Sequence, residues 1–124
     1  MWQRSIKVTR TRRKDYPVSD FSDRLRIIAQ FSPDEADKIK DILFGRLNSR
    51  LARWSPDQVE LELSVKERDT PSQRTILECW IAKMPRFVAT STEQEIDTAL
   101  VEVRDDLWNQ INREVTKAES ARKR

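Results

Sequence analysis

The chain has 124 residues, of which 37% are hydrophobic and 36% are charged, and its formal net charge at pH 7 is +3. This length is typical of a single domain, and the apolar fraction is too high for a disordered chain. No segment has the length and hydrophobicity of a membrane span, and the basic start lacks the apolar run of a secretory signal. An arginine-rich transit peptide is the alternative for this start, but Asp15, Tyr16 and Pro17 would end its amphipathic helix early.

Basic residues are concentrated at both ends of the chain. Residues 1–15 carry six basic and one acidic side chain, and residues 113–124 carry five and two, whereas residues 16–112 have a net charge of −5. Basic ends often bind polyanions, which makes Arg12 and Arg13 candidate RNA contacts. The alternative is that both ends are only solubilising tails. We predict a basic flexible arm over 1–22, one α+β domain over 23–117 and a basic tail over 118–124.

The inventory of reactive residues argues against catalysis. The chain contains no histidine, one cysteine (Cys79) and one glycine (Gly45). These counts exclude a Ser–His or Cys–His pair, a Cys/His metal site and a glycine-rich phosphate loop. Acidic neighbours such as Asp105 and Asp106 remain, but adjacent helix positions diverge and usually face water. We therefore predict that the protein is not an enzyme, needs no cofactor or metal and has no small-molecule substrate.

The first half of the domain predicts a strand followed by a helix. Apolar and polar positions alternate from Arg24 to Gln30, as in a half-buried strand. Ser32, Pro33 and Glu35 then form a capping-box pattern with proline at the first helical position. From about 33 to 54, apolar residues recur every three or four positions along one stripe, at Ala36, Ile39, Leu43, Leu47, Leu51 and Trp54. We also note a possible short strand at Ile6–Thr9.

The second half predicts three strands and a long helix. Val59, Leu61, Leu63 and Val65 alternate with polar residues, and further strands are expected over 74–82 and 86–90. Thr92 and Glu95 form a second capping pattern, and one apolar stripe then runs from Ile96 through Leu100, Val103, Leu107 and Ile111 to Val115. The predicted order is β-α-β-β-β-α, an α+β two-layer sandwich in which two helices cover one face of a four-stranded sheet.

Cysteine and tryptophan positions add expectations about the core. Cys79 alternates in phase with Leu77 and Ile81, which predicts a buried, unreactive thiol. A single cysteine also indicates a reducing compartment, which we expect to be the cytoplasm. Trp54 and Trp80 fit core positions, whereas Trp108 is expected at the edge of the core.

Three arginines of the first predicted helix form the clearest candidate binding feature. Arg46, Arg50 and Arg53 follow the i, i+4, i+7 spacing of one helix face, and no acid between 42 and 56 lies within four positions of them. Arginine rows suit phosphate contacts. The alternative is an ordinary solvated helix face. A weaker second patch on the last helix contains Arg113 and Lys117, near Arg104.

Three stretches together resemble the ribosome hibernation-promoting factors, a family also called ribosome-associated translation inhibitors or sigma-54 modulation proteins. The first is Arg50-Leu51-Ala52-Arg53-Trp54-Ser55 leading into the alternating segment 59–64. The second is Phe87-Val88-Ala89-Thr90-Ser91-Thr92. The third joins Asp97-Thr98-Ala99-Leu100 to Leu107-Trp108-Asn109-Gln110-Ile111. The resemblance covers about residues 24–117.

The resemblance implies a fold similar to that of double-stranded-RNA-binding domains. It also implies binding to rRNA in the decoding region of the small ribosomal subunit, with inhibition of translation in resting or stressed cells. Carried onto this chain, the RNA-binding positions are Arg46, Arg50 and Arg53 of the first helix and Arg113 and Lys117 of the second. The long family members' C-terminal dimerisation domain is absent, so we expect a monomer or a weak dimer.

The chain departs from the family pattern at several places. The family's second helix is usually basic near its end, whereas this helix carries Asp105 and Asp106, and Asn109 and Asn112 at positions where the family often has bases. Met84-Pro85 replaces a hairpin glycine. The competing hypothesis is a protein-interaction regulatory module of the same fold, which would use the acidic body and would not bind ribosomes.

Overall fold

The computed structural model describes residues 21–28 and 30–122 of the chain. The Ile6–Thr9 segment, Arg12, Arg13 and Ala29 lie outside the described residues. The elements within them are β1 (Leu25–Ile28), α1 (Ala36–Leu51), β2 (Val59–Lys66), β3 (Arg74–Ile81), β4 (Phe87–Ser91) and α2 (Ile96–Arg122). Short 3-10 turns occupy Phe21–Arg24, Pro33–Glu35 and Pro56–Gln58.

The four strands form one mixed sheet in the order β1-β2-β3-β4. β1 pairs in parallel with β2, with Leu25 opposite Leu61, while β2–β3 and β3–β4 are antiparallel. A parallel pair cannot be joined by a tight hairpin, and α1 supplies the required crossover. The predicted β-α-β-β-β-α order and the α+β two-layer architecture are confirmed.

The hydrophobic core lies between one face of the sheet and both helices. The inward positions of β2 are buried along the whole strand, and all but Val65 belong to the same core cluster as Leu77 and Cys79 of β3. The leucine and isoleucine stripes of α1 and α2 are part of this cluster, and Leu47 and Leu107 are fully buried. Each such buried side chain stabilises the fold by about 1.5–3 kcal/mol. Phe21, immediately before β1, is also fully buried in this core.

Trp80 does not lie in the core, and the prediction that placed it there is wrong. Its side chain is 36% exposed on the outer face of the sheet. The reason is the two-residue period of a strand, since the buried neighbours Cys79 and Ile81 force Trp80 to point the other way. Trp54 and Trp108 are partly buried against the core, and the expected edge position of Trp108 is confirmed.

The capping pattern at the start of α1 is confirmed, and it recurs after the helix. The Ser32 amide donates to Glu35 Oε1 at 2.9 Å, and the Ser55 amide donates to Gln58 Oε1 at 3.0 Å. In both places a Ser-Pro pair opens a 3-10 turn, so each connection enters its next element at a fixed angle.

The start of α2 lies later than the Thr92 capping pattern predicts. The helix begins at Ile96 because buried Gln73 holds the preceding loop in a non-helical conformation. Gln73 Nε2 donates to the carbonyls of Glu93 and Gln94, both at 3.0 Å. Its Oε1 accepts from the Asp69 amide at 2.8 Å. One fully buried side chain therefore joins the β2–β3 loop to the β4–α2 loop.

A second link fixes the connection between β1 and α1. Arg68 of the β2–β3 loop makes two hydrogen bonds to the Glu35 carboxylate, at 2.8 and 2.6 Å, and its guanidinium lies 5.2 Å from the Phe31 ring centre. The hydrogen bonds from Arg68, with a further one from the Ser32 amide, lower the pKa of Glu35 from 4.5 to about 2. The same pairing raises the pKa of Arg68. Glu35 thus caps the 3-10 turn that leads into α1 and anchors a loop at the same time.

Replacing Gln73 with leucine is expected to lower the free energy of unfolding by about 1–3 kcal/mol, because three partly buried backbone groups lose their hydrogen-bond partner. Urea unfolding followed by circular dichroism measures this loss. The matched control is Gln110→Leu, since Gln110 donates to the Val88 carbonyl at 2.8 Å from a solvent-exposed position. The control should cost less than about 1 kcal/mol, and equal losses in the two variants would contradict the role given to Gln73.

The Glu35–Arg68 pair is expected to stabilise the protein above pH 4.5 and to lose its effect as the pH falls toward 2. The folded-state pKa lies below the unfolded value, so protonation favours the unfolded chain in that window. Solvent screening reduces the effect to about 1–2 kcal/mol. Glu35→Gln should therefore be less stable than the wild type at pH 7 and equally stable at pH 2. The control Glu95→Gln, at an exposed position, should follow the wild type throughout, and a pH-independent Glu35→Gln difference would exclude the pairing.

Candidate nucleic-acid interface

Arg46 and Arg50 lie on α1, whereas Arg53 lies in the turn just beyond its last residue, Leu51. We call these three arginines the α1 row, and they lie along the line where α1 and α2 pack side by side. We call this line the helix seam, and define it by the pairs Lys38–Asp97, Arg46–Asp105, Arg50–Asn112 and Arg53–Glu119. Residue numbers rise together on both helices, so α1 and α2 run parallel. Their N-termini consequently share one end of the molecule, and the arginines approach the C-terminal end of each helix, where cations are favourable.

Arg46 is held between an acid and an aromatic ring of α2. Its Nη1 lies 3.0 Å from Asp105 Oδ1, and its guanidinium lies 4.7 Å from the centre of the Trp108 ring. Arg104 donates to the same carboxylate oxygen at 2.9 Å. The hydrogen bond from Arg104, together with the charges of Arg104 and Arg46, holds the pKa of Asp105 below its usual value. Asp105 is therefore a charged partner shared by two arginines.

Arg50 and Arg53 are held less tightly. Arg50 Nη1 donates to the neutral Asn112 Oδ1 at 2.9 Å, while its buried Nε has no acceptor. An unpaired buried donor costs free energy, so this arginine is not optimised for stability alone. Arg53 lies 3.7 Å from Glu119 and stacks 5.5 Å from the centre of the Trp54 ring. The side chains of Arg46 and Arg53 remain nearly half-exposed.

Acids of α2 partly neutralise the arginine row. The row has no acid within four positions on its own helix, but Asp105 and Glu119 reach it from the other helix. These partners lie about sixty positions away along the chain, and only helix packing brings them together. The row is consequently both an interhelical contact and a partly exposed cationic surface.

Arg113 and Lys117 do not join the helix seam. Successive residues on a helix diverge by about 100°, so Arg113 points away from the side on which Asn112 meets Arg50. Arg113 is exposed and makes no ion pair within the described residues. Lys117 lies 3.4 Å from Glu114 on its own helix. The structure thus gathers the three α1 arginines and places these two cations on a separate face of α2, while Arg12 and Arg13 lie outside the described residues.

Other reactive groups within residues 21–28 and 30–122 do not form a site. Burial raises the pKa of the Cys79 thiol to about 12, so the thiol stays protonated and unreactive at neutral pH, as predicted. No group of three or more His, Cys, Asp or Glu in the described part of the chain could hold a metal ion. Nor does any described helix have the length and apolar character needed to cross a membrane.

Two comparisons, with protein-family models and with curated protein sequences, give no match for this chain. No model of a protein family matches it, and no curated protein sequence matches it. The fold and the helix seam are therefore the features from which its function is inferred.

Several residues of this surface were not identified from the sequence. Asp105, Asn112 and Glu119 are the α2 partners of the row, and Trp108 is the ring beneath Arg46. From the sequence, Asp105 counted as one of a pair of acidic neighbours, and both Asp105 and Asn112 counted as departures from a basic pattern. Asp105, Asn112 and Glu119 recur every seven residues and so share one face of α2, and this spacing was the available signal.

The Arg46–Asp105 pair is expected to contribute only about 0.2–1 kcal/mol to stability, because both side chains are partly exposed. A double-mutant cycle of Arg46→Ala and Asp105→Ala, measured by urea unfolding, isolates this coupling energy. The coupling should fall between low salt and 1 M salt. A coupling above about 2 kcal/mol that salt does not change would show that the row mainly stabilises the packing of α1 against α2.

Proposed function

We propose that this protein is a non-enzymatic cytoplasmic factor that binds rRNA of the small ribosomal subunit and restrains translation. The observation that carries the proposal is the α1 arginine row, which remains partly exposed along the helix seam. The β-α-β-β-β-α fold agrees with the fold implied by the resemblance to hibernation-promoting factors. The protonated, buried thiol of Cys79 suits a reducing compartment.

The geometry of the row suits contact with a phosphate backbone. Arg46 and Arg50 are one helical turn apart on α1, and Arg53 follows two residues after the helix ends. A guanidinium can donate two parallel hydrogen bonds to a phosphate, and it stays charged at any physiological pH. The α2 partners and the Trp54 and Trp108 rings hold these long side chains in place, so less conformational entropy is lost when RNA binds.

The same α2 partners also limit the affinity. A phosphate that approaches Arg46 competes with Asp105, and one that approaches Arg53 competes with Glu119. Binding should therefore be reversible and strongly salt-dependent. Because of this competition, removing arginines of the row should weaken RNA binding, whereas removing an acid of α2 should strengthen it. A seam that only stabilises the fold would not produce these opposite effects.

Co-sedimentation with isolated small ribosomal subunits, at low and moderate salt, tests the proposal. The double variant Arg46→Gln/Arg53→Gln is expected to bind roughly tenfold more weakly and to reduce the slope of log affinity against log salt by about two, because two phosphate contacts are lost. Asp105→Asn is expected to bind more tightly than the wild type, because it releases Arg46 from a competing carboxylate.

Lys40→Gln is the matched control, since it removes a cation from α1 outside the row and should leave subunit binding nearly unchanged. All variants are checked for folding by circular dichroism before sedimentation. Saturable wild-type binding with unchanged affinity in the arginine variant would move the contact to another surface. If the wild type binds at neither salt concentration, ribosome binding is excluded and the protein-interaction hypothesis takes its place.

A further inference from the structure

The face of the sheet opposite the helices carries an exposed surface that the proposed function does not use. We call it the outer sheet face. Its side chains come from alternate positions of the strands and from the residues just before β1 and β4: Arg24, Arg26 and Ile28; Glu60, Glu62, Ser64 and Lys66; Arg74, Ile76, Glu78 and Trp80; and Arg86, Val88 and Thr90. No element within residues 21–28 and 30–122 covers it.

Apolar side chains are concentrated on this face. Among the described residues, four large hydrophobic side chains are exposed, and three of them, Ile28, Trp80 and Val88, lie here. Val88 is directly opposite Glu78, so it is diagonal to both Ile76 and Trp80 on β3. Diagonal neighbours lie within reach of an aromatic ring. Val88 is therefore within reach of both Ile76 and Trp80, although Glu78 lies between those two on β3. Beside Trp80 lies a shallow cleft of about 160 Å³ lined by Asp23, Arg24, Arg26, Glu60, Leu61 and Trp80.

Arginines cover two of the three glutamates on this face. Arg26 pairs with Glu62, and the side chains are 72% and 20% exposed, respectively. Arg86 lies 3.4 Å from Glu78, and those side chains are 58% and 21% exposed. The solvent-facing side of the outer sheet face therefore presents guanidinium groups above the carboxylates. Glu60 remains exposed, and it lies 3.5 Å from Arg24.

Two cations at the other end of the face are adjacent and unpaired. Lys66 is directly opposite Arg74 in the β2–β3 pairing, and both side chains are exposed. Neither makes an ion pair within the described residues. Like charges directly opposite each other destabilise a sheet. A bound anion between them would remove this repulsion.

We propose that the outer sheet face binds a single strand of nucleic acid, with a base stacked on Trp80 and phosphates at Lys66 and Arg74. An exposed aromatic ring on an open four-stranded sheet, surrounded by cations, is the arrangement on which unpaired bases stack. Arg74 and Trp80 lie about 20 Å apart along β3, which leaves room for the two or three bases that a sheet of this size can hold.

The charges favour this occupant over a protein surface. The outer sheet face has five basic and three acidic side chains, and two of the acids lie beneath arginines. Protein interfaces usually exclude lysine from their centre and bury a larger apolar area. The face also points away from the helix seam, so this binding does not depend on ribosome binding by the arginine row.

Fluorescence anisotropy with a labelled eight-nucleotide RNA that cannot pair with itself tests the inference. The wild type is expected to bind this strand more tightly than a labelled RNA duplex that offers no unpaired bases. Trp80→Ala should weaken single-strand binding by about ten- to a hundredfold, and Trp80→Phe should retain most of it. Lys66→Gln/Arg74→Gln should reduce the slope of log affinity against log salt by about 1.4.

Val101→Ala is the matched control, because Val101 is the fourth exposed large hydrophobic side chain and lies on α2. It should not change single-strand affinity. The arginine-row variant Arg46→Gln/Arg53→Gln should also keep this affinity while losing subunit binding, so the two proposals can fail separately. Absence of single-strand binding by the wild type, or equal binding by Trp80→Ala, would overturn the inference. A dimer that Trp80→Ala dissociates, with no change in single-strand affinity, would overturn it as well and assign the face to a second copy.

Discussion

The apolar contact between one sheet face and two leucine-rich helix stripes determines the positions of the charged groups. Because α1 and α2 cover the same face, they must lie next to each other, and their polar flanks meet at the helix seam. Because the opposite face has no cover within the described residues, the outward positions of β1–β4 stay accessible. The two candidate binding surfaces are therefore both consequences of one packing layer.

The arginines of the two surfaces differ in how acidic side chains surround them. At the helix seam, acids of α2 approach the row from the side and leave Arg46 and Arg53 partly exposed. On the outer sheet face, glutamates lie under Arg26 and Arg86 and fix them in place. In both cases an acid orients a guanidinium and lowers its net attraction for phosphate. Such pairing lowers the non-specific attraction of both surfaces for polyanions.

The sequence predicted the strands and helices well, because the apolar residues that identify them repeat every two residues in a strand and every three or four in a helix. Alternation in β2 and the stripe of α1 identified the core, and the Ser32–Glu35 cap was found at the residue level. Trp80 was wrongly placed in the core, because the alternation that places Cys79 inside puts Trp80 on the outer face. The α2 start was misplaced because Gln73, about twenty residues earlier, holds the loop by hydrogen bonds that no local pattern records.

The candidate site was predicted only in part. The spacing of Arg46 and Arg50 was correct as a helix face, but the predicted helix end at about 54 was wrong, because α1 ends at Leu51 and Arg53 lies in the turn that follows. Their partners were not predictable, because the crossing of two helices brings together residues about sixty positions apart. The separation of Arg113 and Lys117 from the row likewise depends on how α2 is rotated about its axis against α1.

The most direct test of the account is a cryo-electron microscopy reconstruction of the protein bound to the small ribosomal subunit. The account predicts that α1 faces the rRNA backbone, with phosphates at Arg46 and Arg53 and with Asp105 displaced from Arg46. A complex in which the helix seam faces solvent, with Arg46 still paired to Asp105, would contradict the central claim.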